Sequence, residues 1–367
     1  MKPNLLPSLA LSLLAALPAA AQTARREPQI GYLFPAGACA GTTTEVTVGG
    51  QNLRGLDWAR VSGPGVKVEV GKSYRQIRNI NGEQRAELTY QIERRKAQLA
   101  GRPELEVPKR LLEMRAEAQK EEDKKKGLEP KPIPLGGHPF IDKLPTASGR
   151  DIEHFVTVAL AGRDKLQLNT QLADLVQLTV TIDPKTPPGR REIRLLGPTG
   201  LTNPMPFVIG RVPEAREYEP NQPGYPERKT PPPPVLETPF VINGQIMPGD
   251  VDRFRFKAGR GQPLLVRTHA RSLIPYLADA VPGWFQMVVA LYDSDGREVA
   301  WADDFRFDPD PVLFFQVPRD GEYELEVRDA IYRGREDFVY RIEVGQQAFI
   351  TSGFPLGARE GSEATAA

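Results

Sequence analysis

Sulfur, histidine and net charge are all scarce in this chain. Cys39 is the only cysteine among 367 residues, so no intramolecular disulfide can hold the fold; hydrophobic cores or bound ions must. It sits in a Gly/Ala-rich stretch with no neighbouring histidine to activate it, which suits a small turn residue better than a nucleophile. The three histidines, His138, His154 and His269, lie in unrelated contexts. The sequence contains no H-E-x-x-H helix, no G-x-S-x-G elbow and no phosphate-cradling glycine loop. Lys and Arg total 48 against 47 Asp and Glu, and a net charge of +1 exerts no long-range pull on nucleic acid or anionic lipid. Past Ala21 no apolar run approaches the roughly 18 residues needed to span a bilayer. The expectation is therefore no enzyme, no nucleic-acid partner and no membrane insertion.

What is present begins with an export pattern. Lys2 supplies a positive end, Leu5 to Leu17 an apolar stretch, and Ala19-Ala20-Ala21 a small-x-small cleavage site. Residues 1–21 thus read as a signal peptide, placing the mature chain in the periplasm or outside the cell. Proline (36) and glycine (33) are abundant, and with short alternating runs they predict turn-rich all-β domains.

Thr44, Val46 and Val48 alternate with Glu45 and Thr47, after which Gly49-Gly50 is expected to turn the chain. Val66, Val68 and Val70 alternate with Lys67 and Glu69. Strand patterns resume at Asp151, with Phe155, Leu178, Val180 and Ile182 inward, and Pro187-Pro188-Gly189 turns into Ile193 and Leu195. Together these stretches make about 100 residues, the size of one immunoglobulin-like sandwich. Residues 28–211 are read as that domain. Its interruption, about 72–134, has helical spacing: Leu88, Ile92 and Leu99, then Pro108 followed by Leu111, Met114 and Ala118. Lys120 to Lys126, "KEEDKKK", adds i,i+4 ion pairs. The product is an inserted charged helical hairpin whose thin apolar stripe either docks a partner or rests on its own β-domain.

Pro232 to Pro234 stiffen a linker into residues 212–346, a second β-domain. Phe240 and Ile242 lead to Asn243-Gly244, a strong hairpin signal. Phe254, Phe256 and Ala258 oppose Arg253, Arg255 and Lys257; Leu264, Val266, Thr268 and Ala270 repeat the pattern. Val289 and Leu291 enter "DSDG" (Asp293 to Gly296), and Tyr323, Leu325 and Val327, then Phe338, Tyr340, Ile342 and Val344, close the domain. About seven strands predict a sandwich of jelly-roll type.

"EYEPNQPG" (Glu217 to Gly224), "NGQIMPGDVDRFRF" (Asn243 to Phe256), "LYDSDGREVAWADD" (Leu291 to Asp304) and "VPRDGEYELEVRD" (Val317 to Asp329) resemble the bacterial pre-peptidase C-terminal (PPC) domain. "FPAGACAGTTTEVTVGGQNL" (Phe34 to Leu53) resembles an IPT/TIG immunoglobulin-like module, from whose minimal form the helical insertion departs. Near the end, "FPLGAREGS" (Phe354 to Ser362) repeats the phrase at Phe34, so residues 347–367 resemble the start of another such module and predict further in-frame sequence. The resemblance implies a non-catalytic accessory module. Some PPC relatives hold calcium, and their E-x-E-x-N stretch is similar to Glu217, Glu219 and Asn221, with Asp250 and Asp252 as the further acidic residues. Gln222 stands where relatives often carry an acid.

A hard cation takes six to eight oxygens, which this set could supply in part; the same residues also suit water-facing turns. "DSDG" is a hairpin turn rather than an EF-hand, because its twelfth position is Asp304 instead of glutamate. Asp303, Asp304, Asp308 and Asp310 read as a solvated acidic loop. Tyr276, Trp284 and Phe285 form either an aromatic platform for a polysaccharide or extended peptide, or the filling of the sandwich end. The functional expectation is an exported, non-catalytic binding or spacer protein, its PPC-like domain calcium-stabilised and attached to an extracellular or envelope polymer or protein. The alternative is the accessory N-terminal portion of a secreted hydrolase whose catalytic domain is absent from this chain.

Overall fold

The computed structural model describes residues 27–75, 80–119, 127–156, 160, 169–172, 174–217, 219, 234–274, 284–363 and 365. The export pattern, "KEEDKKK", Asn221, Pro232-Pro233 and Tyr276 lie outside the described residues. The fold is all-β with a helical insertion: two β-sandwiches follow each other along the chain.

In the first sandwich one sheet has the order β1 (Gln29–Phe34), β3 (Thr43–Gln51), β6 (Asp174–Ile182), β5 (Val66–Arg75). The other runs β2 (Gly37–Cys39), β9 (Met205–Gly210), β7 (Gly189–Gly197), β4 (Trp58–Val61), with β8 (Gly200–Leu201) also on β7. The alternating positions read from the sequence supply its core, with Val46, Val48, Val180, Ile193, Leu195 and Phe207 all fully buried. Gly49 and Gly50 do not turn the chain; both lie inside β3. A Cβ on Gly49 would sit 2.0 Å from the Tyr32 ring, and one on Gly50 2.1 Å from the Gln29 carbonyl oxygen. The two glycines let β1 approach closely, which a local turn signal cannot reveal.

Among the described residues four α-helices interrupt the sandwich between β5 and β6. They are α1 (Gly82–Leu99), α2 (Lys109–Ala118), α3 (Pro139–Lys143) and α4 (Gly149–Phe155). Asn81 and Gln84 cap α1 reciprocally, as Ser148 and Asp151 cap α4. The stretch from Asp151 to Phe155 is therefore helix rather than strand, with Ile152 and Phe155 turned to one buried side. Leu88 and Ile92 of α1 pack with Leu144, Ala147, Ile152 and Phe155 into a small core of their own. Leu88 and Ile92 of the stripe are thus covered by the insert's later helices, while Leu99 stays exposed. Asp142 joins the insert to β5 by accepting from Lys72 (2.8 Å) and from the Tyr74 hydroxyl (3.0 Å).

His138 caps α3 with its ring: Nδ1 accepts the Phe140 N–H at 3.1 Å. Burial pushes the imidazole down to about 4 from 6.5, against the pull of Asp142. Protonation would also replace the accepting lone pair by a donor and break the cap. Between those two pH values the unfolded chain binds the proton and the folded chain does not, so stability falls as pH drops through that window. We expect wild type to lose on the order of 1–3 kcal/mol between pH 7 and pH 4 through this residue. His138→Asn, which keeps a capping acceptor, should flatten that part of the profile in urea titrations.

The second sandwich pairs the sheet β10 (Glu214–Arg216), β12 (Phe240–Gln245), β19 (Val339–Gly345), β14 (Pro263–His269), β17 (Val312–Gln316) with the sheet β11 (Leu236–Glu237), β13 (Val251–Ala258), β18 (Gly321–Asp329), β15 (Met287–Tyr292), β16 (Glu298–Ala302). Phe256, Val266, Leu291, Leu325 and Ile342 meet in the core between them. Asp293 to Gly296 forms the β15–β16 turn, the Asp293 N–H donating to the Arg297 carbonyl at 2.9 Å. Asn243-Gly244, by contrast, lies inside β12 and makes no hairpin. A Cβ on Gly244 would meet the Tyr340 ring at 2.1 Å, and Asn243 is buried beneath β10 contacts. The sandwiches share packing: Leu273, Ile274 and Val339 of the second join the core cluster of the first.

Candidate functional site

β10 runs parallel to β12 and hands the chain on to Glu217, whose N–H donates to the Asn243 carbonyl at 2.9 Å. Glu219 follows. Asp252 lies on β13, in the facing sheet, opposite Val327. One carboxylate oxygen from each of Glu217, Glu219 and Asp252 lies within 4.8 Å of the other two. Three residues named in the sequence thus converge, and Asn221 lies outside the described residues. Asp250 sits beside them, buried, its Oδ1 accepting the Val251 N–H at 2.9 Å.

Donors reach these residues from β12, from β19 and from the insert. The Gln245 N–H donates to Glu217 Oε2 at 2.7 Å, and the Tyr340 hydroxyl to Asp252 Oδ2 at 2.5 Å. From α4, the His154 Nδ1 stands 3.7 Å from Glu219 Oε2, and Arg150 Nε donates to the Glu219 carbonyl at 2.7 Å. Burial pushes the Glu217 carboxyl well above the ordinary carboxylate range; Asp252 and Glu219 push it further, against the Gln245 N–H. Burial likewise raises the Tyr340 phenol, with Asp252 next in importance. A mutually repelling set of hard oxygens, buried at Asp252 and half-buried at Glu217 and Glu219, is eased by a proton or a cation, and the donor chemistry fits calcium or magnesium better than a soft metal.

Of the aromatic residues, Tyr276 lies outside the described residues, and Phe285 fills the sandwich end. Phe285 is 5% exposed and stacks on Phe338, centroids 5.3 Å apart, because an apolar ring at the sandwich end gains more from burial than from water. Trp284 is half-buried and its carbonyl accepts from Arg333 Nη2 at 3.2 Å. Asp310 is not in a solvated loop either: it is buried and accepts the N–H groups of Ala270, Arg271 and Ser272 at 2.7–3.0 Å. Burial raises the Cys39 thiol, and Glu214 adds to it against Arg341 and Arg211, which disfavours the nucleophilic thiolate.

A cleft of about 690 Å³, which the sequence did not reveal, separates the two sandwiches. The first contributes Arg190 and Arg211, the second Arg267, His269, Phe305 and Phe349. No local pattern marks these residues; only the topology assembles them. Within the cleft, His269 Nδ1 lies 3.2 Å from Ser272 Oγ and its Nε2 lies 3.8 Å from Glu343 Oε1. The order mimics a nucleophile, base and acid. Beside it the backbone N–H groups of Ala270, Arg271 and Ser272 all donate to Asp310.

No family model matches the chain, and no curated protein matches it. Among solved structures it is similar to PliG of Aeromonas hydrophila, a periplasmic inhibitor of g-type lysozyme (14% identity, 29% of this chain and 84% of that one, TM-score 0.20). It is also similar to the secreted serine protease VesC of Vibrio cholerae (7% identity, 84% and 47%, TM-score 0.19). A third is the C-terminal domain of the antigen I/II-family protein AspA of Streptococcus pyogenes (10% identity, 87% and 90%, TM-score 0.20). Likeness at this level carries no functional argument. No helix among the described residues is long and apolar enough to cross a membrane.

Proposed function

We propose that the chain is an exported, non-catalytic binding and spacer protein, its second sandwich stiffened by calcium and attached to an extracellular or envelope polymer. The convergence of Glu217, Glu219 and Asp252 supports the reading most directly. Glu217 and Glu219 belong to the segment entering the second sandwich, Asp252 to its facing sheet, and the insert's α4 touches Glu219. These residues would hold the ion, with Asp250 adding charge. The ion would supply the positive charge that allows these carboxylates to ionise together. Holding the entering segment against the sandwich in this way suits a spacer that must keep its shape.

Calorimetric titration of calcium into the mature protein tests the site. We expect a saturable heat and, at free calcium 100 times Kd, a stabilisation of about 2.7 kcal/mol seen as a raised Tm. Asp252→Asn, which still accepts from Tyr340, should abolish both. No heat and an unchanged Tm in wild type would remove the ion from the proposal.

A further inference from the structure

We infer that the cleft between the sandwiches is the polymer site, and that its occupant is an acidic polysaccharide; the inference rests on the polymer-binding reading above. Arg190, Arg211 and Arg267 all line the cleft. Among the described residues none of the three has a carboxylate within salt-bridge distance: Arg211 donates only to the carbonyls of Pro184 and Thr186, and Arg267 stands over the Phe349 ring at 5.8 Å. The lining also carries three acids. Asp310 holds three N–H groups, Asp308 accepts the Asp310 N–H at 3.0 Å, and Glu343 stands beside His269. The fourth arginine, Arg341, is held by Glu214. Three guanidinium groups thus line one cavity outside salt-bridge distance of the acids that share it, Asp308, Asp310 and Glu343, and their planar donors match anionic oxygens.

The second observation is the wall beside them. Phe305 and Phe349 line the cleft with their rings edge-on, centroids 5.3 Å apart, and Phe314, outside the lining, packs against both at 5.5–6.4 Å. Ring faces next to cations suit the apolar faces of sugar rings that bear acidic groups. An extended peptide is less well served. The strands flooring the cleft, β9, β12, β14 and β19, are each paired on both edges, and edge strand β17 turns only Val312 into it. Strand addition therefore has no free main-chain row to use.

The test is titration of the full mature chain with an oligogalacturonate and a sulfated oligosaccharide, set against a neutral cello-oligosaccharide of equal length and polyglutamate. Binding of either acidic sugar that weakens with salt, and at least about tenfold with Arg190→Gln and with Arg267→Gln, supports the inference. Unchanged Tm in these exposed-arginine variants shows that folding is intact. Equal binding of polyglutamate, or of the neutral sugar, overturns it. Sugar binding that survives both substitutions overturns the cleft while leaving a polymer-binding protein. Binding to none of the sugars overturns it too, and retention on whole envelope material then decides the broader reading separately.

Discussion

Glu214→Ala should destabilise the protein by about 3–5 kcal/mol in urea denaturation, more than any cleft substitution. Arg341 of β19 is fully buried, and Glu214 of β10 grips it from both carboxylate oxygens, each 2.6 Å from a guanidinium nitrogen. Asn243 adds a third contact at 3.1 Å. The guanidinium is wedged against the first sandwich as well: a Cβ on Gly37 would meet its Nη1 at 2.8 Å, and one on Gly210 its Nη2 at 3.0 Å. Removing the carboxylate strands a cation in the seam between the domains. Exchanging the pair for apolar side chains, Glu214→Leu with Arg341→Met, should recover most of the loss, since neither charge is then left alone. A cost below about 1 kcal/mol for Glu214→Ala would mean that the seam admits water to Arg341 and is not the tight joint described.

Much of the architecture was legible because half-buried strands repeat every second residue. Phe254, Phe256 and Ala258, or Tyr323, Leu325 and Val327, declare their inward face without help from the rest of the chain. The misread positions share one cause. Asn243-Gly244 and Gly49-Gly50 look like turns locally, but each glycine answers a tyrosine ring or a backbone brought in from a distant strand. At Asp151 the Ser148-x-x-Asp151 capping box was present and outweighed the apparent alternation. At the metal cluster the acidic residues were legible and their meeting was not, since it depends on β10 running beside β12 while Asp252 sits in the opposite sheet. The cleft left no trace at all, because Arg190, Arg211 and Arg267 stand at outward positions of the kind any solvated strand or turn carries.

The insert yields the second large effect. Glu87 of α1 is fully buried and accepts from Arg115 Nε and Nη2 of α2, both at 2.8 Å, from Gln91 at 2.9 Å and from the Ile133 N–H at 3.3 Å. Burial works to raise its carboxyl, but Arg115, Gln91 and the Ile133 N–H together hold it below the ordinary value of 4.5. Glu87→Ala leaves Arg115 buried without its partner and an N–H without an acceptor, and should cost the insert about 3–5 kcal/mol. Hydrogen exchange locates the loss: amides of α1 and α2 should exchange faster while those of β13, β18 and β19 keep their protection. Acid acts in the same place. A lowered carboxyl pKa contributes stability above its unfolded value and forfeits it as pH falls through the folded one, and this loss adds to the one from His138 taking its proton. Acidification from neutral pH should therefore open the helical insert before either sandwich. Simultaneous loss of strand and helix protection across that range would show instead that the insert and the first sandwich form one cooperative unit.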